Sequence, residues 1–244
     1  MIPRLRGAFF LNTIHLYMNG AHWIVDQLLR AAGELESAGG TVRGFRRTVA
    51  ERFAENPVSA WESAFWNRGV RCGLVQLNSH WFRLGSGRRT AVGFFARNEA
   101  GLTVGLRREA LTQAAAYAAL VTHYGYPRSQ ARFESDFLDV ALRDERGAVT
   151  LYAETKASDR VLDKLAGELA SGFRDGPPPL VLAEGQKPPD AHQKAGHILR
   201  TRPAHFWAVS PGRRLAFAVR YTGPGFEMTP RDDIPSALRG DWFG

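Results

Sequence analysis

Two carboxylates and one amine interrupt short apolar runs near the middle of the chain. The stretch FLDVALRDERGAVTLYAETKAS, residues 137–158, has two apolar runs on either side of a polar turn, a pattern that predicts a β-hairpin. Asp139 lies in the first run, and Glu154 and Lys156 lie in the second. Residues two apart in a strand share a face, so Glu154 and Lys156 point the same way, with Tyr152 beside them.

The register of this hairpin decides whether the acids meet. A turn centred on Arg146 and Gly147 places Asp139 opposite Glu154 or Lys156. Two carboxylates held about 4–5 Å apart repel by about 4 kcal/mol at a surface-like dielectric constant. Without a compensating cation, one of the two carboxylates would therefore take up a proton. Replacing either acid by its amide would then relieve the repulsion.

A divalent cation removes this conflict, because carboxylate oxygens, completed by water and substrate phosphate, are the ligands that Mg²⁺ prefers. The pattern therefore predicts a magnesium site. Next to that site, Lys156 could orient or deprotonate a water molecule, or stabilise developing phosphate charge. A simpler interpretation is an edge-strand salt bridge between Glu154 and Lys156, contributing under about 1 kcal/mol, with Asp139 in solvent.

A second aspartate competes for the same role. Asp136 precedes Asp139 by three residues and so lies on the opposite strand face, which means that only one of them can share the face of Glu154. The apolar run 140–142 follows Asp139 directly, as is typical of a central strand, and this favours Asp139.

The elements before the hairpin are predicted from periodicity and from turn residues. Residues 8–36 predict one or two amphipathic helices, and residues 41–57 and 58–69 predict further helices, the first ending near Pro57. Between residues 74 and 107 the pattern changes to three strands, joined by Gly-Ser-Gly and Asn-Glu-Ala-Gly turns.

The second half of the chain alternates helices and hairpins. Residues 108–127 predict a strong alanine-rich helix that ends at Gly125, directly before the hairpin of residues 137–158. A second amphipathic helix at 159–173, a short helix near 190–199 and a hairpin at 204–221 follow. The tail from Thr222 is rich in turn residues and is expected to be irregular.

The order helix, strand with Asp139, strand with Glu154-Thr155-Lys156, helix, strand resembles the restriction-endonuclease-like, or PD-(D/E)XK, nuclease superfamily. The resemblance covers roughly residues 107–221. It implies that Asp139 and Glu154 bind Mg²⁺, for which Mn²⁺ can substitute, and that Lys156 assists the attacking water.

The resemblance also implies that an early glutamate of the preceding helix joins the metal ligands. Glu109 fits that description, with Gln113 one turn later as the alternative, although a glutamate in the first helical turn is also favoured by the helix dipole. Two features depart from the family pattern. Leu138 stands where the family name has proline, and the Gln-x-x-x-Tyr motif of some subfamilies is missing.

The charge distribution suggests a polyanionic partner. The net charge is +8, and residues 1–100 carry 13 basic and 7 acidic side chains, residues 101–175 carry 10 and 11, and residues 176–244 carry 9 and 6. Basic flanks around an acidic centre would suit DNA held over a cation site, although an arginine-rich composition alone gives the same excess. The candidate phosphate contacts are Arg46, Arg47, Arg88, Arg89 and Lys194, and a solvated helix face is the alternative for Lys194.

These observations predict an α/β protein with a mixed β-sheet flanked by helices. Residues 1–106 form a helical and β extension for DNA contact, target choice or dimerisation, and residues 107–244 form the nuclease core. The expected function is metal-dependent hydrolysis of phosphodiester bonds in DNA, for restriction, phage defence or repair, by the chain alone, as a homodimer or with a partner subunit. The alternative is a non-catalytic nucleic-acid-binding or assembly module on the same fold.

Other classes of protein fit the sequence poorly. The single cysteine, Cys72, excludes a disulfide framework and a cysteine-built zinc site. His192 and His197 are five residues apart, which does not place them on one helical face for zinc, and neither a phosphate loop nor a Gly-x-Ser-x-Gly elbow occurs. Polar residues interrupt the apolar N-terminal stretch, so neither a signal peptide nor a membrane span is expected, and the cytoplasm is the predicted location.

Overall fold

The computed structural model describes residues 23–84, 91–135, 138–180 and 185–238. Arg88, Arg89 and Asp136 lie outside the described residues, as do the Gly-Ser-Gly turn and the first part of the predicted N-terminal helix.

Six helices and eleven strands form within these ranges. The helices are α1 (Trp23–Ser37), α2 (Phe45–Glu55), α3 (Ala60–Arg71), α4 (Arg108–Thr122), α5 (Asp159–Gly172) and α6 (Asp190–Thr201). The strands are β1 (Val75–Leu77), β2 (Trp81–Leu84), β3 (Ala91–Gly93), β4 (Phe95–Arg97), β5 (Thr103–Leu106), β6 (Ala131–Ser135), β7 (Leu138–Arg143), β8 (Val149–Thr155), β9 (His205–Val209), β10 (Arg214–Tyr221) and β11 (Phe226–Arg231).

The central feature is a six-stranded sheet in the order β11-β10-β9-β8-β7-β6. Strands β6, β7 and β8 form an antiparallel meander, as do β9, β10 and β11, and β8 pairs with β9 in parallel. A parallel pair needs a long crossover, and α5 and α6 lie within that connection. The predicted mixed α/β architecture is confirmed.

The strands between residues 74 and 107 differ from the prediction. Five strands form instead of three, in a three-stranded sheet β1-β2-β3 and a two-stranded ribbon β4-β5. The first predicted strand is itself a hairpin, because the chain reverses between Leu77 and Trp81. Strands of three or four residues are too short for alternation to reveal them.

Two further strands were missed. β6 precedes the hairpin strands and pairs with β7, and the tail expected to be irregular contains β11, which pairs with β10. In β11 only Phe226 and Met228 are buried, and the last three residues are exposed, so the apolar signal is two residues long. Pairing with the neighbouring strand, rather than local pattern, decides this structure.

The central sheet is buried on both faces. Val140, Leu151 and Trp207 belong to a core that also includes α4 and the N-terminal helices. Tyr152, Phe206 and other side chains of the opposite face belong to a second core with α5 and α6. Most of α4 is buried, and its many alanines let the sheet and α3 approach closely. A Cβ on Gly69 of α3 would lie only 3.1 Å from the Cβ of Ala118 of α4.

A buried ion pair joins α3 to α4 across the predicted boundary near residue 106. Arg108 Nη1 lies 2.8 Å from Glu62 Oε1, and Arg108 Nη2 lies 2.7 Å from Glu62 Oε2. Arg108 also donates through Nε to the carbonyl of Asn56, and Thr112 donates to Glu62. Both charged side chains are buried, and their hydrogen bonds compensate for lost hydration.

Breaking this pair should be costly. We expect Glu62→Gln to lower the free energy of unfolding by about 3–5 kcal/mol, because it leaves the Arg108 guanidinium buried without a counter-charge. Glu55→Gln removes an exposed partner of Arg52 and should cost under about 1 kcal/mol. Urea unfolding followed by circular dichroism measures both, and equal losses would contradict a special role for the buried pair.

Candidate active site

The β7–β8 hairpin brings Asp139 beside Glu154. Val140 pairs with Ala153 in the antiparallel ladder, so Asp139 and Glu154 are the next residues towards the end of the two strands. The reversal between the strands includes Gly147, whose φ of 85° lies in the left-handed region that glycine adopts without strain. The position of the turn predicted Asp139 opposite Glu154 or Lys156, and in the structure it lies beside Glu154.

Three carboxylates converge at this end of the hairpin. One oxygen each of Glu109, Asp139 and Glu154 lies within 4.8 Å of the other two. Glu109 comes from the first turn of α4, which packs against β6, β7 and β8. The structure therefore brings together the three acids that the sequence singled out. The alternative, Gln113, is buried one helical turn later in α4.

Thr155 orients the Asp139 carboxylate. Its backbone N–H donates to Asp139 Oδ2 at 2.7 Å, and its hydroxyl donates to the same oxygen at 2.8 Å. Two donors on Oδ2 leave the lone pairs of Oδ1 for another ligand. No role was predicted for Thr155, although its position between Glu154 and Lys156 in the chain places it next to the site.

Glu154 is the most buried acid of the cluster. Its Oε1 lies 2.8 Å from Lys156 Nζ, its Oε2 lies 2.8 Å from Lys194 Nζ, and the buried Tyr152 hydroxyl donates to Oε2. Burial and the charge of Asp139 raise the pKa of Glu154, and the two lysines act in the opposite direction. Burial and the same carboxylates also raise the pKa of Tyr152, which therefore stays protonated and donates.

The Lys156 ammonium group lies among three carboxylates. Its Nζ is 2.8 Å from Glu154 Oε1, 2.9 Å from Asp190 Oδ2 and 4.0 Å from Glu109 Oε1. Burial alone lowers the pKa of Lys156, but the surrounding carboxylates outweigh burial and raise it. Lys156 is consequently a protonated hydrogen-bond donor in this arrangement, and is better suited to orienting a water or stabilising anionic oxygen than to accepting a proton.

Two residues of α6 complete the cluster. The solvated-face interpretation of Lys194 is wrong, because its side chain is mostly buried and bonded to Glu154. Asp190 was not singled out, since nothing in the local sequence brings it near the hairpin. A signal for Lys194 did exist. Only four of the 32 basic residues are lysine, so each lysine stands out in the sequence. In the structure two of these four, Lys156 and Lys194, contact the Glu154 carboxylate.

The two described candidate phosphate contacts of the N-terminal region lie on an element outside the carboxylate cluster. Arg46 and Arg47 are exposed on α2, which packs against α1 and β5 and carries none of the clustered carboxylates. Arg47 forms an exposed ion pair with Glu51 at 2.7 Å.

Glu109 makes the stability of the metal-free protein depend on pH. Burial, and then the charge of Asp139, raise the pKa of Glu109 from 4.5 to about 7. The folded state therefore keeps the Glu109 proton up to a higher pH than the unfolded chain does. The free energy of unfolding consequently falls as the pH rises from about 4.5 to 7, and it stays at the lower value above pH 7. Solvent screens this side chain, which is 40% exposed, so we expect a loss of about 1 kcal/mol.

The variant Glu109→Gln checks this sign. In EDTA at pH 8 it should be more stable than the wild type by about 1 kcal/mol, and at pH 4 the two should be equally stable. Urea unfolding across this pH range is the measurement, with Glu51→Gln, at an exposed position of α2, as the control. Parallel pH profiles for Glu109→Gln and the wild type would rule out this titration.

Comparison of this chain with protein-family models, with curated proteins and with solved structures finds no match. Among the described residues, no helix combines the length and apolar character needed to cross a membrane. The chemistry of the carboxylate and lysine cluster is therefore the basis for inferring function.

Proposed function

We propose that this chain is a metal-dependent nuclease that hydrolyses phosphodiester bonds, with DNA as its substrate and a restriction-endonuclease-like core that begins near residue 107. One observation carries the proposal. Oxygens of Glu109, Asp139 and Glu154, from three different elements, lie within 4.8 Å of one another, and the Lys156 amine lies 2.8 Å from Glu154.

The donor set fits a hard divalent cation such as Mg²⁺, with Mn²⁺ as a substitute. All three candidate ligands are carboxylates, and Asp139 keeps one oxygen that Thr155 does not use. With Asp190 included, four carboxylates face two lysines, which gives a formal charge of −2. One divalent cation would balance that charge and remove the repulsion that, together with the larger effect of burial, raises the pKa of Glu109 and Glu154.

In the proposed mechanism, Glu109, Asp139 and Glu154 hold the cation, and Thr155 and Tyr152 fix two of these carboxylates. The bound cation would supply positive charge next to the phosphate oxygens. Lys156 donates hydrogen bonds from its protonated Nζ to the water or to a phosphate oxygen as negative charge develops. Such preorganised donors stabilise a transition state because they need no reorientation during the reaction.

The order of the elements also supports the proposal. The chain runs from α4 with Glu109, through β7 with Asp139 and β8 with Glu154, which Lys156 follows directly, to α5 and α6 and then to β9, parallel to β8. This is the order on which the resemblance to the nuclease superfamily rests. Here β6 is added before β7, and β10 and β11 extend the sheet beyond β9.

Plasmid nicking tests the proposal. Purified protein should convert supercoiled plasmid to nicked or linear DNA in MgCl₂ or MnCl₂, and should leave it intact in EDTA. An identically purified Lys156→Ala protein controls for a contaminating nuclease. DNA that stays supercoiled in both metals, with a correctly folded protein, would contradict the nuclease assignment.

One observation favours a second candidate, a non-catalytic nucleic-acid-binding or assembly module. Both oxygens of Glu154 already have partners within the protein, namely Lys156, Lys194 and Tyr152. Such a satisfied network can be purely structural. Salt-sensitive DNA binding without metal-dependent cleavage is the result that distinguishes this candidate.

The DNA partner gives a prediction for the N-terminal arginines. If Arg46 and Arg47 contact phosphates, replacing both by alanine should reduce the slope of log Kd against log salt by about 2. The control is the pair Arg174→Ala and Arg220→Ala, which removes the same charge from exposed partners of Glu227. Fluorescence anisotropy of a labelled duplex in CaCl₂ and increasing KCl is the measurement. An unchanged slope would assign Arg46 and Arg47 to structure or solubility.

A further inference from the structure

One face of α6 borders the carboxylate cluster. Helix α6 buries Ala191, Ala195 and Ile198 in the core that it shares with α5. Asp190 and Lys194 are four residues apart, so they are neighbours on an adjoining stripe of the helix. Both side chains reach the end of β8.

The contacts between α6 and β8 are crossed. The acid of α6, Asp190, lies 2.9 Å from Lys156, the residue directly after β8, while the base of α6, Lys194, lies 2.8 Å from the acid of β8, Glu154. Two carboxylates, Glu154 Oε1 and Asp190 Oδ2, therefore hold the Lys156 ammonium from two elements. An ammonium has three N–H groups, so the third is left for a substrate or water.

We propose that Asp190 is a positioning residue for Lys156 in the proposed nuclease reaction, an inference that rests on the proposed function. A lysine side chain has four rotatable bonds, and ordering it costs rotamer entropy. A single partner on β8 allows the amine to swing about that contact. The second contact, from α6, fixes the amine and with it the direction of the remaining N–H.

The exposure of Asp190 separates this role from a structural one. Its side chain is 48% exposed at the start of α6, and exposed ion pairs contribute little to folding stability. Asp163 is a matched control, because it is a 42% exposed carboxylate that pairs with Arg213 at 3.2 Å. Replacing Asp190 should therefore change what Lys156 does and should leave the fold as stable as replacing Asp163 does.

The first measurement needs neither metal nor DNA. Reductive methylation followed by peptide mass spectrometry reports how freely each lysine reacts, and the chain has only four lysines. The Lys156 side chain is 13% exposed, whereas Lys164 on α5 is 77% exposed and serves as the internal reference. Asp190→Ala should raise the methylation rate of Lys156 relative to Lys164 at least threefold, and Asp163→Ala should not change it.

The second measurement is single-turnover nicking of supercoiled plasmid in MgCl₂ with saturating protein. Asp190→Ala should be about 100-fold slower than the wild type, the size of effect expected when a reacting group is misplaced by about 1 Å. Asp190→Glu, which keeps the carboxylate, should recover the rate to within threefold, and Asp163→Ala should nick at the wild-type rate. The Kd for a labelled duplex in CaCl₂ should stay within twofold for all variants.

The two measurements fail separately. Unchanged Lys156 methylation in Asp190→Ala would overturn the anchoring by Asp190, and wild-type nicking by Asp190→Ala would overturn its positioning role. A slow Asp190→Ala that Asp190→Glu does not rescue would also overturn it. A wild-type protein that leaves plasmid intact in MgCl₂ would contradict the nuclease function itself, and the methylation result would still decide whether Asp190 holds Lys156.

Discussion

Lys156→Ala is expected to lower the single-turnover rate of magnesium-dependent DNA cleavage by about a thousandfold. The reason is that Lys156 is a protonated donor beside two of the three clustered carboxylates, with Nζ 2.8 Å from Glu154 and 4.0 Å from Glu109. Loss of one preorganised donor to a developing anionic oxygen costs about 10²–10³-fold in rate, and lost orientation of the water adds to that. Plasmid nicking at saturating protein measures the loss without interference from DNA affinity.

The fold and DNA binding should survive this substitution. Lys194 and Tyr152 still contact Glu154, and the three proposed metal ligands remain. Lys156→Met keeps the apolar part of the side chain and should be equally inactive, which separates the loss of the amine from a packing defect. Lys164→Ala removes an exposed lysine of α5 and should cleave normally. Cleavage at the wild-type rate by Lys156→Ala would exclude catalysis at this site.

The hairpin that carries the site could be predicted from the sequence because local rules determine it. Strand alternation places Tyr152, Glu154 and Lys156 on one face, and the turn around Gly147 sets the register that brings Asp139 beside Glu154. The role expected for Glu109 came from the resemblance to the nuclease superfamily, and the structure brings its carboxylate to the same place.

The contribution of α6 could not be predicted in this way. Asp190 and Lys194 reach β8 only because the crossover from β8 to β9 brings α6 onto one face of the sheet. The residues next to Asp190 in the sequence do not indicate that its side chain lies close to β8. Strand β11 was missed for the same reason, because its pairing with β10 and its contact with α5 are tertiary interactions that the local sequence does not reveal.

The structure also changes an expectation about the two acids. Two neighbouring carboxylates that only repel would each give a more stable metal-free protein when replaced by an amide. In the structure their surroundings differ. Asp139 accepts two hydrogen bonds from Thr155, whereas Glu154 contacts both Lys156 and Lys194. The same change of charge should therefore have opposite effects on stability at the two positions.

Asp139→Asn should stabilise the metal-free protein by about 0.5–1 kcal/mol, because the amide oxygen can still accept from Thr155 while its repulsion of Glu154 and Glu109 disappears. Glu154→Gln should lower the free energy of unfolding by about 2–3 kcal/mol. Burial and Asp139 raise the pKa of Glu154, which alone would favour an amide. The sign is decided by the two mostly buried ammonium groups, which lose the carboxylate that they share.

Metal binding should weaken in both variants. Losing even an outer partner of a ligand costs about 10–100-fold in metal affinity, so losing a ligand carboxylate should cost at least as much. Calorimetric titration with MnCl₂ measures the affinity, and urea unfolding in EDTA measures the stability of the same samples.

Thr150→Val, which removes a side-chain hydrogen bond on β8 away from the cluster, is the control for strand damage. If Asp139→Asn and Glu154→Gln both lost several kcal/mol and bound Mn²⁺ as the wild type does, the acids would be structural partners of the lysines. Opposite stability changes, together with loss of Mn²⁺ binding in both, are the result expected if the lysines balance the charge of Glu154 in the metal-free protein and if Asp139 and Glu154 would both hold the proposed cation.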